Sequence, residues 1–404
     1  MNLRRCLTAF TLLGLSLVLT LQGPGIAVAA AAPLSGYPDR RSVTAPAVEL
    51  PRTEGRYAVG AQTLHLSDPG RSDPWASPAR RELMVSVYYP ARASSGGTAA
   101  YMTQKEARLL LEARGLAGVV PAAALSGVLT HARVDARPAT GRFPLVLLSP
   151  GFSMPRSTLT TLANDLASRG YVVAAVDHAH ESVGTAFPGG RVLTCRACEQ
   201  VTTDEQRAQV AAGRARDLSF VIDRLTTLKA PSSGTSQQGR SLPYAFMVDH
   251  RRIGVAGHSI GGAAAAAVMM RDPRVRAGLN LDGNFFDPLD EAGFGGRPFI
   301  MMGAASSHSP ASPGSDWREA WERMHGWKRW LTVSGAEHFT FTDLPVLAGR
   351  LGLSDPAAPL SGERSWQLTR DYSAAFFDAH LRGMTHPLLD GPAADRPEVA
   401  FPLM

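Results

Sequence analysis

A serine between two glycines is the first feature of this sequence that predicts chemistry. Ser259 is the centre of the sequence GHSIG, and it lies between an apolar stretch at 253–256 and an alanine-rich stretch at 263–267. That context predicts a strand, a sharp turn and a helix, which together form a nucleophile elbow. Such a turn needs small neighbours, here Gly257 and Gly261, and it places the serine at a helix N-terminus, where developing negative charge is favoured. We therefore predict that Ser259 is a nucleophile.

A serine nucleophile needs a base to accept its proton, and the base needs a carboxylate to fix its tautomer. Asp282 directly follows the next predicted strand, and His338 follows the last one. This gives the chain order Ser–Asp–His that is typical of α/β-hydrolases. The acid more often follows the second strand after the elbow, but no acid occurs there before Asp316. We predict that the triad is Ser259, Asp282 and His338, and Asp287 and Asp290 are the alternatives for the acid.

Acyl transfer also needs two backbone N–H groups to hold the negative charge that forms on the carbonyl oxygen. Ile260, the residue after the nucleophile, is expected to supply one. The other is expected from the loop SPGF, which follows the apolar stretch 145–148. The proline of this loop has no N–H. We therefore assign the second donor to Phe152, with Gly151 allowing close approach of the substrate.

Two further pairs of residues resemble ligand or redox motifs. Cys195 and Cys198 form a C-x-x-C pair without a second such pair, which in an exported protein favours a local disulfide over a zinc or redox site. His178 and His180 form an H-x-H pair, but no third ligand pattern accompanies them. We interpret them as loop or pocket-wall residues, and we predict neither a metal nor a cofactor.

The elements that position these residues alternate along the chain from residue 143 onward. This alternation predicts an α/β protein with a mainly parallel, doubly wound sheet flanked by helices. Strands are predicted at 57–66, 83–89, 145–148, 171–176, 253–256, 277–281, 299–302 and 329–333. Helices are predicted at 104–116, 159–169, 202–225 and 364–381. Pro90 is expected to stop the second strand, and Thr202 with Glu205 is expected to form the capping box of the long helix.

The N-terminus has the plan of a secretory signal. Arg4 and Arg5 precede an apolar run at 6–21, and a stretch of small residues follows at 27–32. This pattern predicts a signal peptide over 1–32. An uncleaved membrane anchor is the alternative, although the apolar run is short for a spanning helix. We predict an exported protein that is secreted.

The remaining chain shows no internal repeat and no clean domain boundary. We predict an N-terminal arm and edge-strand region at 33–80, followed by one α/β-hydrolase catalytic domain at 81–404. Within that domain, residues 104–140 are a candidate lid or cap. A helical stripe of Trp317, Trp321 and Met324 is expected to face the core, and a lipid-facing role is its alternative.

Composition and charge exclude several classes of protein. The 404 residues are 45% apolar and 19% charged, as in ordinary globular proteins, and the three cysteines are too few for a disulfide scaffold. The formal net charge is +6, but the basic residues are scattered and no nucleic-acid-binding motif occurs. We therefore predict no nucleic-acid partner.

Two stretches carry a resemblance to a known family. The stretch from Arg142 through SPGF to LASRGYVVAAVDH, together with GHSIGG, resembles the plasma-type platelet-activating factor acetylhydrolases and their bacterial relatives. The short step from Ser259 to Asp282, and then on to His338, is also similar to that family. The resemblance spans roughly residues 83–383 and is most specific at these three residues.

This resemblance implies a calcium-independent serine esterase with an α/β-hydrolase fold. Ser259, Asp282 and His338 match the family's triad, and Phe152 and Ile260 match its two oxyanion donors. The family hydrolyses short or oxidised acyl chains from phospholipids such as platelet-activating factor. The sequence departs from the family where SPG replaces a common His-Gly pair, and where the Cys195–Cys198 segment is inserted.

The leading hypothesis is a secreted carboxylic-ester hydrolase that cleaves short-acyl phospholipids or small lipid esters, with transient contact to a lipid surface. A triacylglycerol lipase or a cutinase-like polyester hydrolase is the alternative within the same chemistry, although those enzymes usually place the acid one strand later. An acyltransferase would use the same triad with an alcohol in place of water. The sequence does not predict the oligomeric state.

Overall fold

The computed structural model describes residues 48–92, 95–227, 245–354 and 358–403. The strands in these ranges are β1 (Ala58–Ser72), β2 (Arg80–Ala91), β3 (Thr98–Ala100), β4 (Leu129–Val134), β5 (Phe143–Ser149), β6 (Val172–His178), β7 (Thr185–Ala186), β8 (Val192–Leu193), β9 (Val248–His258), β10 (Val275–Leu281), β11 (Phe299–Ala304), β12 (Lys328–Val333) and β13 (Val399–Leu403). The helices are α1 (Gln104–Ala113), α2 (Ala122–Ser126), α3 (Thr160–Arg169), α4 (Ala197–Gln200), α5 (Asp204–Thr226), α6 (Ile260–Arg271), α7 (Ala305–His308), α8 (Trp317–Arg323), α9 (Leu344–Arg350) and α10 (Gly362–Arg382). The signal peptide predicted for 1–32 lies outside the described residues.

One large sheet organises the fold. Its strand order is β13-β12-β11-β10-β9-β5-β6-β2-β1-β4-β3, while β7 and β8 form a separate hairpin. The six strands from β12 to β6 in this order are parallel to one another, and β2 and β13 join their two sides antiparallel. The mainly parallel sheet predicted from the sequence is therefore confirmed.

Helices cover both faces of the parallel strands, which explains the near-continuous apolar sequence of those strands. Helices α5 and α6 pack on one face, and α3 and α10 pack on the other. Every residue of β5 and of β6 is buried. Because the strands are parallel, the carboxyl ends of β5, β9, β10 and β12 lie at one edge of the sheet, where open α/β sheets bind ligands.

Two local predictions are wrong. Pro90 does not stop β2, which continues to Ala91. The Pro90 carbonyl accepts a bond from the Ala139 N–H, and Pro90 is paired with Val59 in the register of β1 and β2. The capping box of α5 lies one residue later than predicted, at Thr203 and Gln206. The sequence offers the capping pattern in both registers, so the pattern did not distinguish them.

The segment between β3 and β4 packs beside the carboxyl edge of the sheet. Helices α1 and α2 bury apolar side chains against Leu50, Met154 and Leu347, in a cluster separate from the two main cores. Elsewhere, Trp317 and Met324 are buried in the main core with Trp321 packed against it, which confirms the core-facing stripe. Within the described ranges, no helix is both long enough and apolar enough to cross a membrane.

Candidate active site

Ser259 lies on a sharp turn between β9 and α6, as the motif predicts. Its backbone has φ 56° and ψ −128°, a strained conformation for a residue with a side chain. A Cβ atom on Gly257 would lie 2.0 Å from the Gly261 carbonyl oxygen, and one on Gly261 would lie 2.0 Å from that of Ser149. Only glycine fits at either position, so these two residues permit the turn that exposes Ser259.

The structure brings the three predicted triad residues together. The Ser259 Oγ atom is 3.0 Å from His338 Nε2, and His338 Nδ1 is 2.7 Å from Asp282 Oδ2. A carboxylate can only accept, so His338 carries its proton on Nδ1 and leaves Nε2 free to accept the serine proton. This tautomer is the one that general-base chemistry requires.

Asp282 is buried at the end of β10 and is held from several sides. Its Oδ1 atom accepts a 2.7 Å bond from the Ala304 N–H, and His308 Nε2 lies 3.7 Å from the same oxygen. Burial opposes ionisation of this carboxyl. The bonds from His338 and Ala304, together with the nearby His308, outweigh burial and hold the pKa of Asp282 below its usual value. The carboxylate therefore stays charged and can accept the bond from His338 Nδ1. Sequence reasoning did not find His308, which lies after β11, where related folds often place the acid.

The two predicted oxyanion donors have free N–H groups. Among the described residues, neither the Phe152 nor the Ile260 backbone N–H has a hydrogen-bond acceptor. The loop that carries Phe152 is fixed at Ser153, whose N–H donates to the Glu181 carbonyl at 3.0 Å and whose carbonyl accepts from the Val183 N–H at 3.0 Å. Two backbone N–H groups without an acceptor, one directly after Ser259 and one in the loop after β5, are what the stabilisation of a tetrahedral oxyanion requires.

A buried ionic cluster lies behind this loop. Arg214 donates to the Pro150 carbonyl at 2.5 Å and to Glu181 at 2.7 Å. Arg81 bonds Glu181 and Asp217, and the Asp217 carboxylate accepts from His178 at 2.8 Å. We call Arg81, His178, Glu181, Arg214 and Asp217 the buried ionic cluster.

Sequence reasoning missed this cluster, although a signal for it exists. Arg214 and Asp217 lie on the apolar stripe of α5, in line with Val210 and Leu218. Charged side chains are almost never fully buried unless they are paired. Two of them on a core-facing stripe therefore indicate a paired network.

The loop at 334–343 carries His338 and is less buried; we call it the loop of the base, after the predicted role of His338. The His338 side chain is 47% exposed, and its carbonyl accepts a 2.6 Å bond from His258 Nε2. Burial lowers the pKa of His258 to about 4, so its imidazole is neutral at ordinary pH. A neutral ring has one N–H, and the His338 carbonyl can only accept, so that N–H lies on Nε2. His258 therefore positions the loop of the base rather than acting as a base itself.

The predicted disulfide is present, and it lies near the oxyanion donors. Cys195 and Cys198 are bonded to each other. Cys195 packs in a small apolar cluster with Ile260, and three half-buried aromatic side chains pack against that cluster: Trp75, Phe152 and Phe286. These groups offer an apolar wall beside the nucleophile.

The H-x-H pair does not form a joint site in this structure. His178 belongs to the buried ionic cluster and bonds Ser149, whereas His180 Nδ1 faces the Thr194 carbonyl at 3.3 Å. Across the described ranges, no group of three or more His, Cys, Asp or Glu side chains has the arrangement to hold a metal ion.

A family model and two named proteins match most of this chain. The model of the family described as platelet-activating factor acetylhydrolase, isoform II, matches residues 42–381. A protein of Arthroderma benhamiae named "Probable 1-alkyl-2-acetylglycerophosphocholine esterase" is 28% identical over 387 residues, which cover 87% of this chain and 93% of that protein. The platelet-activating factor acetylhydrolase of Cavia porcellus is 21% identical over 82% of this chain and 78% of its own length.

A solved structure is similar across most of the fold. The ferulic acid esterase of Streptomyces cinnamoneus has a TM-score of 0.76 and 44% sequence identity, over 88% of this chain and 99% of its own. The α/β-hydrolase fold predicted from the sequence is confirmed by this similarity. Together with the family match, it shows that the chain is a carboxylic-ester hydrolase.

Proposed function

The chain belongs to the platelet-activating factor acetylhydrolase, isoform II, family, and we propose that it is a secreted serine esterase with Ser259, His338 and Asp282 as its catalytic triad. The observation that carries this proposal is the continuous chain of hydrogen bonds from Ser259 through His338 to Asp282, at 3.0 and 2.7 Å. The residues from 81 to 404 form the catalytic domain in this proposal, and residues 1–32 direct export.

In the proposed reaction, His338 Nε2 takes the proton of Ser259 as the serine Oγ bonds the ester carbonyl carbon. The N–H groups of Phe152 and Ile260 hold the resulting oxyanion. The bond to the alcohol then breaks, and His338 returns its proton to the alcohol oxygen. A water molecule, deprotonated by His338, attacks the acyl-enzyme and releases the acid and free Ser259.

We propose a short acyl chain on a phospholipid or small lipid ester as the substrate. The names of two relatives support this choice: one is a "Probable 1-alkyl-2-acetylglycerophosphocholine esterase" and the other a platelet-activating factor acetylhydrolase. The segment 104–140 acts as a cap in this proposal. Its helices pack on Met154 in the loop at 150–155, which we call the oxyanion loop, and thereby border the site on one side.

Esters of aromatic acids are a second candidate substrate. The similar solved structure is a ferulic acid esterase, and the three half-buried aromatic side chains near Ile260 offer ring faces to an aromatic acyl group. This candidate differs from the first in the acyl group that the apolar wall contacts.

The test is hydrolysis of p-nitrophenyl esters from acetyl to palmitoyl, together with methyl ferulate, by the wild type and by Ser259→Ala. We expect activity on short chains and a loss of at least about 10³-fold in the folded variant. Ser307→Ala, which changes an exposed serine near the carboxyl edge, is the matched control and should retain wild-type rates. Activity that persists in folded Ser259→Ala would refute the proposal.

The acyl profile separates the alternatives. Activity that rises with chain length indicates a triacylglycerol lipase or a cutinase-like polyester hydrolase. A preference for methyl ferulate indicates the aromatic-acid esterase. Transfer of the acyl group to an added alcohol, in preference to water, indicates an acyltransferase with the same triad.

A further inference from the structure

Arg114 is a half-buried cation without an anionic partner. It follows the last residue of α1, and its Nη2 atom lies 2.6 Å from the Met154 sulfur. Its guanidinium carbon lies 4.5 Å from the centre of the Phe339 ring. The Nε atom is buried without a hydrogen-bond partner. Within the described part of the chain, no carboxylate, carbonyl or hydroxyl group accepts a bond from this side chain.

Arg114 differs in this respect from the arginines of the buried ionic cluster. There, each of Arg81 and Arg214 reaches at least one carboxylate at 2.7 Å or less. Removing a guanidinium from water is costly unless an anion compensates it. Burial lowers the pKa of Arg114, and no neighbouring carboxylate counteracts this effect. A thioether and a ring face attract a cation only weakly, so the guanidinium retains unused capacity to bind an anion.

Arg114 lies beside the proposed base. Phe339, the ring under its guanidinium, directly follows His338 in the chain, and the two ring centres are 5.3 Å apart. Met154 lies in the oxyanion loop, so Arg114 lies between that loop and the loop of the base. The base returns its proton to the leaving alcohol, and the alcohol half of the ester must therefore lie on the His338 side of the site.

We propose that Arg114 binds a phosphate or carboxylate group on the alcohol half of the ester substrate. The proposal rests on the proposed function, because it takes Ser259 and His338 as the reacting groups. A guanidinium presents parallel N–H donors that match two oxygens of such an anion. The site thus favours esters of an alcohol that carries a negative charge close to the scissile bond, as the glycerol of a phospholipid does.

The test uses two soluble esters with the same short acyl group, a 1-alkyl-2-acetylglycerol of short alkyl chain and its 3-phosphate. The measured quantity is the ratio of kcat/KM for the phosphorylated ester to kcat/KM for the neutral one. We expect Arg114→Met to lower this ratio about tenfold, the size of a lost charge-assisted hydrogen bond. Arg114→Lys keeps the charge and should retain more of the ratio than Arg114→Met.

Arg108→Met is the matched control, because Arg108 lies on the same helix with a side chain that is 58% exposed. The control should keep the wild-type ratio. An unchanged ratio in folded Arg114→Met, or an equal loss for both esters, overturns the proposal. Ser259→Ala is measured beside these variants. Its retained activity would refute the proposed triad, whereas the ratio concerns Arg114 only.

Two further measurements use added salt and added phosphate, and the first of them needs only the wild type. Sodium chloride should reduce the preference for the phosphorylated ester, because salt screens a half-exposed ion pair. A preference that does not respond to salt contradicts the proposal.

Inhibition by inorganic phosphate distinguishes a site for free phosphate from a site for the phosphate of the ester. Competitive inhibition that is lost in Arg114→Met shows a site open to free phosphate. No inhibition, with the ratio still lowered in that variant, shows a site that takes the anion only as part of the ester.

Discussion

The two sides of the proposed site are held in place by different kinds of contact. The oxyanion loop rests on the buried ionic cluster, in which Arg214 bonds both the Pro150 carbonyl and Glu181. The loop of the base has a half-exposed His338 and is attached by separate hydrogen bonds rather than by a shared ionic network. One runs from His258 to the His338 carbonyl, and another from the Asp343 N–H to the Thr158 carbonyl at 2.8 Å.

This difference agrees with what each side has to do in ester hydrolysis. The oxyanion donors stabilise the transition state only if they are already in place when charge develops, because reorientation would cost part of the gain. The base has to meet both the leaving alcohol and the incoming water, so it needs access to solvent. A buried network supports the first requirement, and an exposed loop supports the second.

The strongest test of this comparison removes the link between the buried ionic cluster and the oxyanion loop. Arg214→Met keeps most of the side-chain volume but leaves the Glu181 carboxylate without one of its cations. Breaking a buried ion pair costs about 3–5 kcal/mol of unfolding free energy. Loss of the bond to Pro150 should also lower kcat about 10²-fold, as expected for a misplaced oxyanion donor. Urea unfolding and steady-state kinetics at one pH measure both effects.

Arg216→Met is the control for that experiment, since Arg216 lies on the exposed side of the same helix. It should unfold within about 0.5 kcal/mol of the wild type, as surface substitutions usually do. If Arg214→Met were as stable and as active as this control, the buried ionic cluster would not support the oxyanion loop.

The anchor of the base loop gives a pH-dependent test. The Asp343 carboxyl is fully buried near the Thr161 N–H at the start of α3, and burial raises its pKa to about 7. A carboxyl with a raised folded pKa contributes stability that is complete below its unfolded value, near pH 4, and is lost as the pH rises through about 7. The loss is about 4 kcal/mol, because the shift is about three pKa units at about 1.4 kcal/mol per unit.

Asp343→Asn, which cannot ionise, should therefore lose less stability than the wild type between pH 4 and pH 8. Unfolding free energies at several pH values measure the difference between the two proteins, and this difference isolates Asp343 from other titrating groups. Asp287→Asn, which removes an exposed carboxyl, is the control and should follow the wild-type curve. Parallel curves for Asp343→Asn and the wild type would contradict the assigned burial effect.

The triad residues, the elbow glycines and the fold class were easier to predict from the sequence than the residues that support the site. Ser259, Asp282 and His338 each follow a predicted strand, and the carboxyl ends of parallel strands meet at one edge, so periodicity and chain order suffice to bring them together. The glycines of the elbow are predictable in the same way, because a close backbone approach allows only glycine. The fold class follows from the same alternation of strands and helices.

The supporting residues depend on distant contacts that no local pattern encodes. Arg81 and Asp217 are 136 residues apart in the chain and meet through the packing of β2 against α5. Arg114 meets Phe339 only because α1 packs near the loop after β12. Exact boundaries were also not predictable from the local sequence: the capping pattern fits at Thr202 and at Thr203, and β2 continues past Pro90 because Ala91 pairs with Ala58 of β1.

His258 connects the two sides, and its substitution should have the smallest effect of the three. Its Nε2–H bonds the His338 carbonyl, while its Nδ1 faces Gly151 so closely that a Cβ atom there would lie 2.8 Å away. His258→Phe replaces the imidazole by an aromatic ring without an N–H, so we expect kcat to fall about tenfold, the equivalent of one hydrogen bond, with KM nearly unchanged. His258→Gln, which retains a side-chain N–H, should recover part of this loss.

A change confined to KM, or an equal loss in both variants, would show that His258 shapes the pocket rather than positioning the base. A kcat loss that Gln restores would show that one hydrogen bond is enough to hold an exposed base in line with a rigid oxyanion loop.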